Sequence, residues 1–504
     1  MMQSDIPINS NALPLEGEIT SVIQSLNIST IPEKPKTFPN NLPKLLDLGI
    51  DQNGKAFGIN KEHGNPYALP VGSRQLNNLI RQIAQSSNIT LRRADLLDIN
   101  SDLQAKAEIV SNKRDVYYRI APYLNGIEID LGDTSHTRIR VTDFGSELIS
   151  GASETLFYRS PSTLEMVRPA PEGKIELLKK HLNMSLSNQM LYIAWLTYTL
   201  AHPKKASSNY VILVLQGNQG SGKSSHCKNV LLRILDPSST GVQMMPTNIK
   251  DLAVAVCNKH VVCFDNVRDI RPHMADAFCI VSTGGSLTGR QLYSDSEQSV
   301  IQMHCAVVLN GIHSSIDQPD LAQRCLPIEL FTIPEHKRKL EKVLIQEMDA
   351  DLPAIMCGLY NLISDVFKYL PIVEVTNPER MIEFVHWLAA MELAMNVPQG
   401  VYQAAFSDAV NQGQLDSLLD NTLASALVDF ANKYGDWSDT PAKLLLVLNR
   451  SADKHIQRDR DWPQNPIALS KRLKPLQASL ATQNIHLTFT RGKNRTINIS
   501  TNGN

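Results

Sequence analysis

One octapeptide, Gly217-Asn-Gln-Gly-Ser-Gly222-Lys223-Ser224, constrains the fold of this chain more than any other stretch. It matches the pattern G-x-x-x-x-G-K-[S/T] of phosphate-binding loops. The apolar run Val211–Leu215 precedes it directly, and the helix-like stretch His226–Leu235 follows. Because a strand, this loop and a helix in that order form the context in which the pattern binds phosphate, the sequence predicts a nucleotide-binding α/β domain.

The residue types of the loop suit the chemistry of phosphate binding. Glycines let successive N–H groups curl around phosphate oxygens, and Lys223 would neutralise the β- and γ-phosphates. The hydroxyl of Ser224 is a suitable ligand for Mg²⁺. The expected cofactors are therefore ATP and Mg²⁺. The residues expected to bind the nucleotide are Gly217, Asn218, Gln219, Gly220, Ser221, Gly222, Lys223, Ser224 and Ser225.

A second apolar run, Val261–Phe264, ends in a carboxylate, Asp265. We expect Asp265 to hold Mg²⁺ through water, the alternative being a turn residue at the end of a strand. The next residue is Asn266, where most ring-forming ATPases have an acid that polarises the attacking water. Three alternatives follow: Asn266 merely orients the water, Asp269 contributes, or hydrolysis is slow.

A third apolar run, Ala306–Leu309, ends in Asn310, which is well placed to reach the γ-phosphate. Arg324 follows it and suits an arginine finger offered to a neighbouring subunit. The alternative role for Arg324 is a surface ion pair. The predicted catalytic residues are Lys223, Asp265, Asn266, Asn310 and Arg324, with Ser224 and Asp265 as the metal ligands.

Buried parallel strands read as continuous apolar runs, so the three runs predict a parallel sheet at the centre of the chain. A length of 504 residues suggests about three domains. The predicted boundaries are a proline-rich irregular lead-in at 1–48, a small α+β domain at 49–160, a P-loop ATPase domain at 174–334, a helical region at 335–450, and a basic winged-helix-like domain at 451–504.

The predicted α+β domain contains one helix, Ser73–Ser86, and several strand-like runs. In one of these runs Glu128 and Asp130 lie two residues apart and therefore on the same face of a strand. A polymerase or primase would need such a pair of carboxylates to hold two metal ions. The neighbouring Gly132-Asp133 pair favours an ordinary hairpin turn instead.

Charge and hydropathy exclude several classes of protein. Lys and Arg total 49 against 50 Asp and Glu, which excludes an acidic disordered chain and a wholly basic coat protein. The apolar run Leu191–Leu200 is well short of the roughly 18 residues of a membrane span, and the N-terminal residues lack a signal pattern. A cytoplasmic protein without a membrane partner is therefore expected. Seven cysteines without a Cys-x-x-Cys pair argue against disulfide or zinc frameworks.

After the phosphate-binding loop and Asp265 come the segments Thr283–Tyr293, Asn310-Gly-Ile and Ala322–Leu330. This order of motifs resembles that of superfamily 3 helicases. The chain is most similar to the ATPase half of phage and poxvirus primase-helicases and to related prophage or plasmid ATP-binding proteins. The resemblance covers roughly residues 175–334 and implies an AAA+-like P-loop core.

The resemblance also implies roles for individual residues. Lys223 and Ser224 match Walker A, Asp265 matches the metal carboxylate, Asn310 matches the motif C sensor and Arg324 matches the finger. Arg290 lies where the family has a hairpin that projects basic side chains into the pore of a ring, so Arg290 is a DNA-tracking candidate. The alternative is a structural ion pair of Arg290 with Asp295 or Glu297.

The C-terminal residues Ser451–Asn504 are basic, with nine Lys and Arg against three acids. Asn465-Pro466 is a suitable helix start, and the following leucines share one face. The runs Ile485–Thr490 and Thr496–Ser500 predict a hairpin. A helix with a basic hairpin outlines a winged helix, the alternative being a solvated charged face. The predicted DNA contacts here are Lys471, Arg472, Lys474, Arg491, Lys493 and Arg495.

Three functions are compatible with these features. The first is a ring-forming ATPase, a hexamer, that moves along or separates DNA strands in the replication of a phage, prophage or plasmid, with a primase or other replication proteins as partners. The second is a DNA-binding ATPase of prophage or defence origin that uses ATP as an assembly switch, which Asn266 favours. The third is a small-molecule kinase, against which Asn310 and Arg324 argue.

Overall fold

The computed structural model describes residues 45–61, 67–151, 153–205, 207–290, 298–311, 316, 318–375, 380–459, 462–490 and 495–501. These residues form two compact units. The first unit extends to Tyr117 and includes Ser150–Arg159, and the second comprises Tyr118–Ile149 and the chain from Ser160 onward. The second unit thus includes part of the span at 49–160 for which the sequence predicts one α+β domain.

The described strands and helices alternate mainly between residues 186 and 329, whereas six successive strands precede this stretch and four successive helices follow it. The strands are β1 Leu46–Ile50, β2 Ala56–Asn60, β3 Leu69–Pro70, β4 Val116–Tyr118, β5 Ile120–Tyr123, β6 Gly126–Asp130, β7 Arg138–Thr142, β8 Gly145–Ile149, β9 Leu156–Tyr158, β10 Ile212–Gln216, β11 Gln243–Met244, β12 Val261–Asp265, β13 Gly285–Arg290, β14 Gln298–Met303, β15 Ala306–Asn310, β16 Cys325–Glu329, β17 Trp437–Asp439, β18 His486–Phe489 and β19 Ile497–Ser500. The α-helices are α1 Arg74–Ser86, α2 Arg93–Val110, α3 Leu186–Ala201, α4 Lys223–His226, α5 Leu232–Leu235, α6 Ile249–Cys257, α7 Pro272–Thr283, α8 Pro319–Ala322, α9 Glu341–Tyr369, α10 Ile382–Ala394, α11 Val401–Asp420, α12 Thr422–Tyr434, α13 Pro441–Ser451 and α14 Pro466–Ala481.

The first unit packs α1 and α2 with a three-stranded sheet, β1-β2-β3. The predicted helix Ser73–Ser86 is confirmed as α1, and the hydroxyl of Ser73 caps it by accepting a hydrogen bond from the N–H of Leu76. The helix α2 was not predicted. Its buried residues Leu96, Ile99 and Leu103 pack against the same sheet.

Strands β5 to β8 form an antiparallel four-stranded sheet in the second unit. Glu128 on β6 is fully buried, and its carboxylate lies 2.8 Å from Arg140 and 3.6 Å from Arg138. Burial raises the pKa of the neighbouring Asp130 to about 6. Because two guanidinium groups already neutralise Glu128, its contacts favour an ion-paired role within the sheet over the metal-binding alternative.

A five-stranded parallel sheet forms the centre of the second unit, in the order β11-β12-β15-β10-β16. This confirms the predicted parallel sheet and α/β class. Alternate residues of β10 enter opposite cores: Leu213 and Leu215 pack with Trp195 of α3, whereas Ile212 and Val214 pack with Phe278 of α7. Apolar helices therefore cover both faces of the sheet, which explains the unbroken apolar run in the sequence.

The region after the sheet is helical, as predicted, but two helix boundaries differ. The apolar spacing of Ala354–Tyr369 predicts a helix, and in the structure this helix, α9, already begins at Glu341 and continues through Pro353. The apolar spacing of Leu415–Tyr434 predicts a single helix, and this prediction is wrong. The chain breaks at Asn421, whose side chain accepts hydrogen bonds from the N–H groups of Leu423 and Ala424 and so starts α12.

The C-terminal region combines α12, α13 and α14 with an antiparallel sheet, β17-β19-β18. Asn465 caps α14 by accepting from the N–H of Ala468, as predicted, and the helix continues through Pro475. Leu469, Leu473 and Leu480 are buried in the core of this region. No helix among the described residues is both long and apolar enough to cross a membrane.

Candidate functional site

The glycine-rich loop connects the end of β10 to the start of α4. Gly217, Gly220 and Gly222 have φ angles of 141°, 86° and 80°, in the region that side chains rarely adopt. A Cβ added to Gly217 would lie only 2.5 Å from the backbone oxygen of Leu330. Glycine is therefore required at these positions for the loop to turn tightly and to lie against the chain that follows β16.

Lys223 lies at the first position of α4, and its ammonium group folds back onto the loop. Its Nζ donates to the backbone oxygens of Gly217 at 2.6 Å and Asn218 at 3.2 Å, and to Oγ of Ser221 at 3.2 Å. Burial lowers the pKa of Lys223, while the nearby Asp265 carboxylate opposes this shift. An anion in the loop would replace these neutral acceptors with charged ones.

Three polar side chains meet at the carboxyl ends of adjacent strands. Oγ of Ser224 donates to Oδ1 of Asp265 at 3.0 Å, and Nδ2 of Asn310 donates to the same oxygen at 2.7 Å. Nδ2 of Asn310 also lies 3.3 Å from Oγ of Ser224. The structure thus brings together Ser224, which was predicted from the phosphate-binding loop, and Asp265 and Asn310, which were predicted from the ends of two strands.

A cleft of about 460 Å³ lies over these groups. The loop residues Gln219, Gly220 and Gly222–Ser225 line one side, and Asp265, Asn266 and Asn310 line the other. This volume is within the range of small-molecule sites, which is about 300–1,000 Å³. Of the other predicted loop residues, Gly217, Asn218 and Ser221 provide the acceptors of the Lys223 ammonium group.

The oxygen atoms in the cleft fit a magnesium ion that is shared with a nucleotide. Mg²⁺ prefers oxygen ligands and is often held by one or two protein groups together with phosphates and water. Ser224 and Asp265 present such a pair. Within the described residues, no group of three or more His, Cys, Asp or Glu side chains could hold a metal ion.

Asn266 follows β12 at the edge of the cleft, with an exposed side chain and a φ of 54°. Its backbone N–H donates to Oδ1 of Asp265 at 2.8 Å, so Asn266 helps to orient that carboxylate. Asp269, the predicted substitute acid, is exposed. Asn266 provides an amide and no carboxylate at this position of the cleft.

Arg324 directly precedes β16 and lies at the end of the strands opposite the cleft. Because β16 runs parallel to β10, residues before β16 lie at the amino ends of the strands, whereas the cleft is at their carboxyl ends. Nε of Arg324 is 3.6 Å from Asp320, and the Arg324 side chain is 14% exposed. Asp320 also pairs with Arg380. Arg324 therefore forms an ion pair within its own chain.

The predicted DNA contacts are only partly within the described residues. Arg290 ends β13, and its side chain lies outside the described part of the chain, as do Asp295 and Glu297. Lys471 and Lys474 are exposed on α14, and Arg472 is half-buried. Arg495 is exposed just before β19. Arg491 and Lys493 lie outside the described residues.

Three buried histidines near the sheet have packing roles. Nε2 of His226 is 2.8 Å from the hydroxyl of Tyr192. Nε2 of His260 and His304 lies 2.8 Å from a backbone oxygen in each case. Burial lowers the pKa of all three side chains to about 4. Burial thus favours their neutral form, and none of the three lines the cleft.

The segment 330–338 lies against the loop, a contact that the sequence motifs did not predict. The N–H of Leu330 donates to the oxygen of Gln216, and the N–H of Ile333 donates to that of Gly220. Asn183 was also missed, and its Nδ2 lies 3.3 Å from the oxygen of Ser221. The consecutive cations Lys337, Arg338 and Lys339 were the one signal in the sequence that could have drawn attention to this segment.

Two family models match the second unit. Residues 175–412 match the actinomycete integrative conjugative element replication protein, and residues 423–504 match the C-terminal domain of the same RepA proteins. Together the two models span more than half of the chain. The chain belongs to this replication protein family. The RepA match begins before the glycine-rich loop and extends beyond α10, so the cleft lies wholly within it.

Solved structures of the NrS-1 C-terminal region also align with the chain. An apo A form aligns at 14% identity over 94% of this chain and 100% of that chain, with a TM-score of 0.38. Two further apo structures of that region align at 13% identity over 92% of this chain and 98% of theirs, with TM-scores of 0.35 and 0.36. TM-scores this low do not establish a shared fold. None of the curated proteins matches the chain.

Proposed function

We propose that this RepA-family chain is an ATP-dependent, ring-forming DNA helicase or translocase that acts in the replication of a mobile element. The observation that supports this most strongly is the convergence of Ser224, Asp265 and Asn310 within 3.3 Å of one another, beside the ammonium group of Lys223. A cation, a hydroxyl, a carboxylate and an amide around one cleft are the groups that phosphoryl transfer to water requires.

Each side chain has one role in the proposed reaction. The loop N–H groups and Lys223 bind and neutralise the β- and γ-phosphates, while Ser224 and Asp265 would hold Mg²⁺, which neutralises developing charge. Asn310 orients the γ-phosphate and detects its loss. Water attacks the γ-phosphorus, the bond to the bridging oxygen breaks, and ADP leaves with that electron pair. Asn266 orients the water without accepting its proton, so both protons of the water stay on the released inorganic phosphate, which leaves as dihydrogen phosphate.

The decisive test is ATP hydrolysis with and without single-stranded DNA, combined with a mass measurement of the particle in ATP. We expect DNA to stimulate turnover and ATP to favour a ring, for which six subunits are proposed. A monomer without ATPase activity would contradict the proposal. Strand separation on a forked duplex would then distinguish a helicase from a translocase that does not unwind.

A second candidate function is a DNA-binding ATPase that uses ATP as an assembly switch. The observation that favours it is Asn266, which places an amide where a general base would otherwise be. The same experiment separates the two functions. Assembly in ATP with negligible turnover, whether DNA is present or not, would favour the switch.

DNA binding by the C-terminal region gives the first mutational prediction. Replacing Arg491, Lys493 and Arg495 by alanine should weaken DNA binding and flatten its dependence on salt by about one slope unit for each lost phosphate contact. Fluorescence anisotropy at several salt concentrations would measure both effects.

The matched control replaces three exposed cations of α12 and α13, Lys433, Lys443 and Arg450, with alanine. These changes remove the same charge from the same region but not from the hairpin. Equal losses of DNA affinity in the two triple variants would show that only net charge matters and would contradict a specific hairpin contact.

A further inference from the structure

The segment 330–338 lies in direct contact with the glycine-rich loop. Leu330 and Ile333 donate backbone hydrogen bonds to Gln216 and Gly220 at 2.9 and 3.1 Å. A Cβ added to Gly222 would lie 3.2 Å from Cδ1 of Ile333. The segment is therefore fixed against the loop at several points, and its side chains have defined positions relative to any phosphate bound there.

Arg338 ends this segment with its guanidinium group beside the loop. A Cβ added to Gly220 would lie 3.2 Å from Nη2 of Arg338, and Nε donates to the oxygen of Ile333 at 3.3 Å. The side chain is 53% exposed. Its ion pair with Glu335 spans 3.9 Å, and Glu335 is 91% exposed. Such an exposed pair contributes little to fixing the position of the Arg338 side chain. The guanidinium group is thus held beside Gly220 by a hydrogen bond within its own segment, and it is accessible to a ligand.

The sheet order shows which part of a nucleotide Arg338 would meet. Asp265 and Asn310 come from β12 and β15, on one side of β10, and β16 lies on the other side. If the terminal phosphates bind between Lys223 and Asp265, the rest of the nucleotide extends away from β12 and β15. The nucleoside then lies on the side of the loop that the segment 330–338 contacts.

We propose that Arg338 is a nucleotide-binding residue that contacts the α-phosphate and the nucleoside. This inference rests on the proposed nucleotide site and adds a binding residue to it. Guanidinium groups suit this role because they bind phosphate through fixed, paired donors and also stack on planar rings. Because ATP and ADP share these parts, Arg338 contributes equally to the binding of both nucleotides.

Calorimetric titration of the full chain with ATP and with ADP would test the assignment. Arg338→Ala should weaken the binding of both nucleotides by about tenfold or more, as expected for a lost hydrogen bond to a charged group. Arg338→Lys should restore part of the affinity through its charge. Lys337→Ala, which removes the adjacent exposed cation, should bind both nucleotides like the unchanged protein.

Two results would overturn the assignment. The first is unchanged affinity in Arg338→Ala, and the second is a loss confined to ATP, which would place the guanidinium group at the γ-phosphate. The unfolding temperature without nucleotide should be the same in Arg338→Ala and the unchanged protein. A lowered temperature with no recovery of affinity in Arg338→Lys would make the role structural. If the unchanged protein binds neither nucleotide, the proposed function itself fails.

Discussion

Lys223→Ala is expected to lower the affinity of the chain for ATP by about a hundredfold or more. The estimate corresponds to the loss of two or more hydrogen bonds between a cation and phosphate oxygens. In the structure the Lys223 ammonium group has three neutral acceptors within 3.2 Å. Phosphate oxygens would replace them with charged acceptors, and alanine can make neither set of contacts. Calorimetric titration with ATP would measure the change.

The matched control for Lys223→Ala is Lys228→Ala. Lys228 lies one turn further along the same helical stretch, where it pairs with Glu341 at 3.0 Å. The Lys228→Ala variant should bind ATP normally because the Lys228 side chain does not line the cleft. Retained ATP affinity in Lys223→Ala would show that the glycine-rich loop does not bind nucleotide in this chain, and both candidate functions would then fail.

The central sheet could be predicted closely because its signals are local. The predicted strand Val211–Leu215 is Ile212–Gln216 in the structure, and the predicted run Val261–Asp265 has the same bounds. Strands buried on both faces have continuous apolar sequences, which a single pass along the chain can detect. Asp265 and Asn310 could be placed for the same reason, because each ends one of these strands.

Features that depend on contacts between distant residues could not be predicted. Arg338 is far from Gly220 in the sequence, and only the parallel alignment of β16 with β10 brings them together. Arg119 is similar: its guanidinium group forms a buried ion pair with Asp236 at 3.0 Å. Removing one partner of such a pair leaves an uncompensated buried charge, so this contact constrains the fold strongly. No local sequence pattern predicts the contact.

Asn421 shows how a local signal can be present and still be missed. The apolar spacing continues from Leu415 to Tyr434, so periodicity alone predicts one helix. Asn is also a strong capping residue, and here the cap prevails: its side chain accepts two backbone hydrogen bonds and starts a new helix. Apolar spacing reports which side of a helix is buried, but it does not report where the helix axis changes direction.

Arg324→Ala is expected to leave ATP binding intact and to lower the rate of hydrolysis on the order of a thousandfold, if the residue acts as an arginine finger. Arg324 lies at the amino ends of the strands, opposite the cleft of its own chain. Any contact with phosphate must therefore be with nucleotide bound to another subunit. The rate should be measured under conditions in which the particle is assembled, together with the affinity for ATP.

Arg380→Ala provides a control that separates this role from simple ion pairing. Arg324 and Arg380 both pair with Asp320, so either substitution removes one cation from the same carboxylate. A structural role predicts similar, modest effects on the unfolding temperature and on the rate for both variants. A finger predicts that only Arg324→Ala loses hydrolysis. An unchanged rate in Arg324→Ala would contradict a finger and would leave Arg324 with the structural ion pair to Asp320.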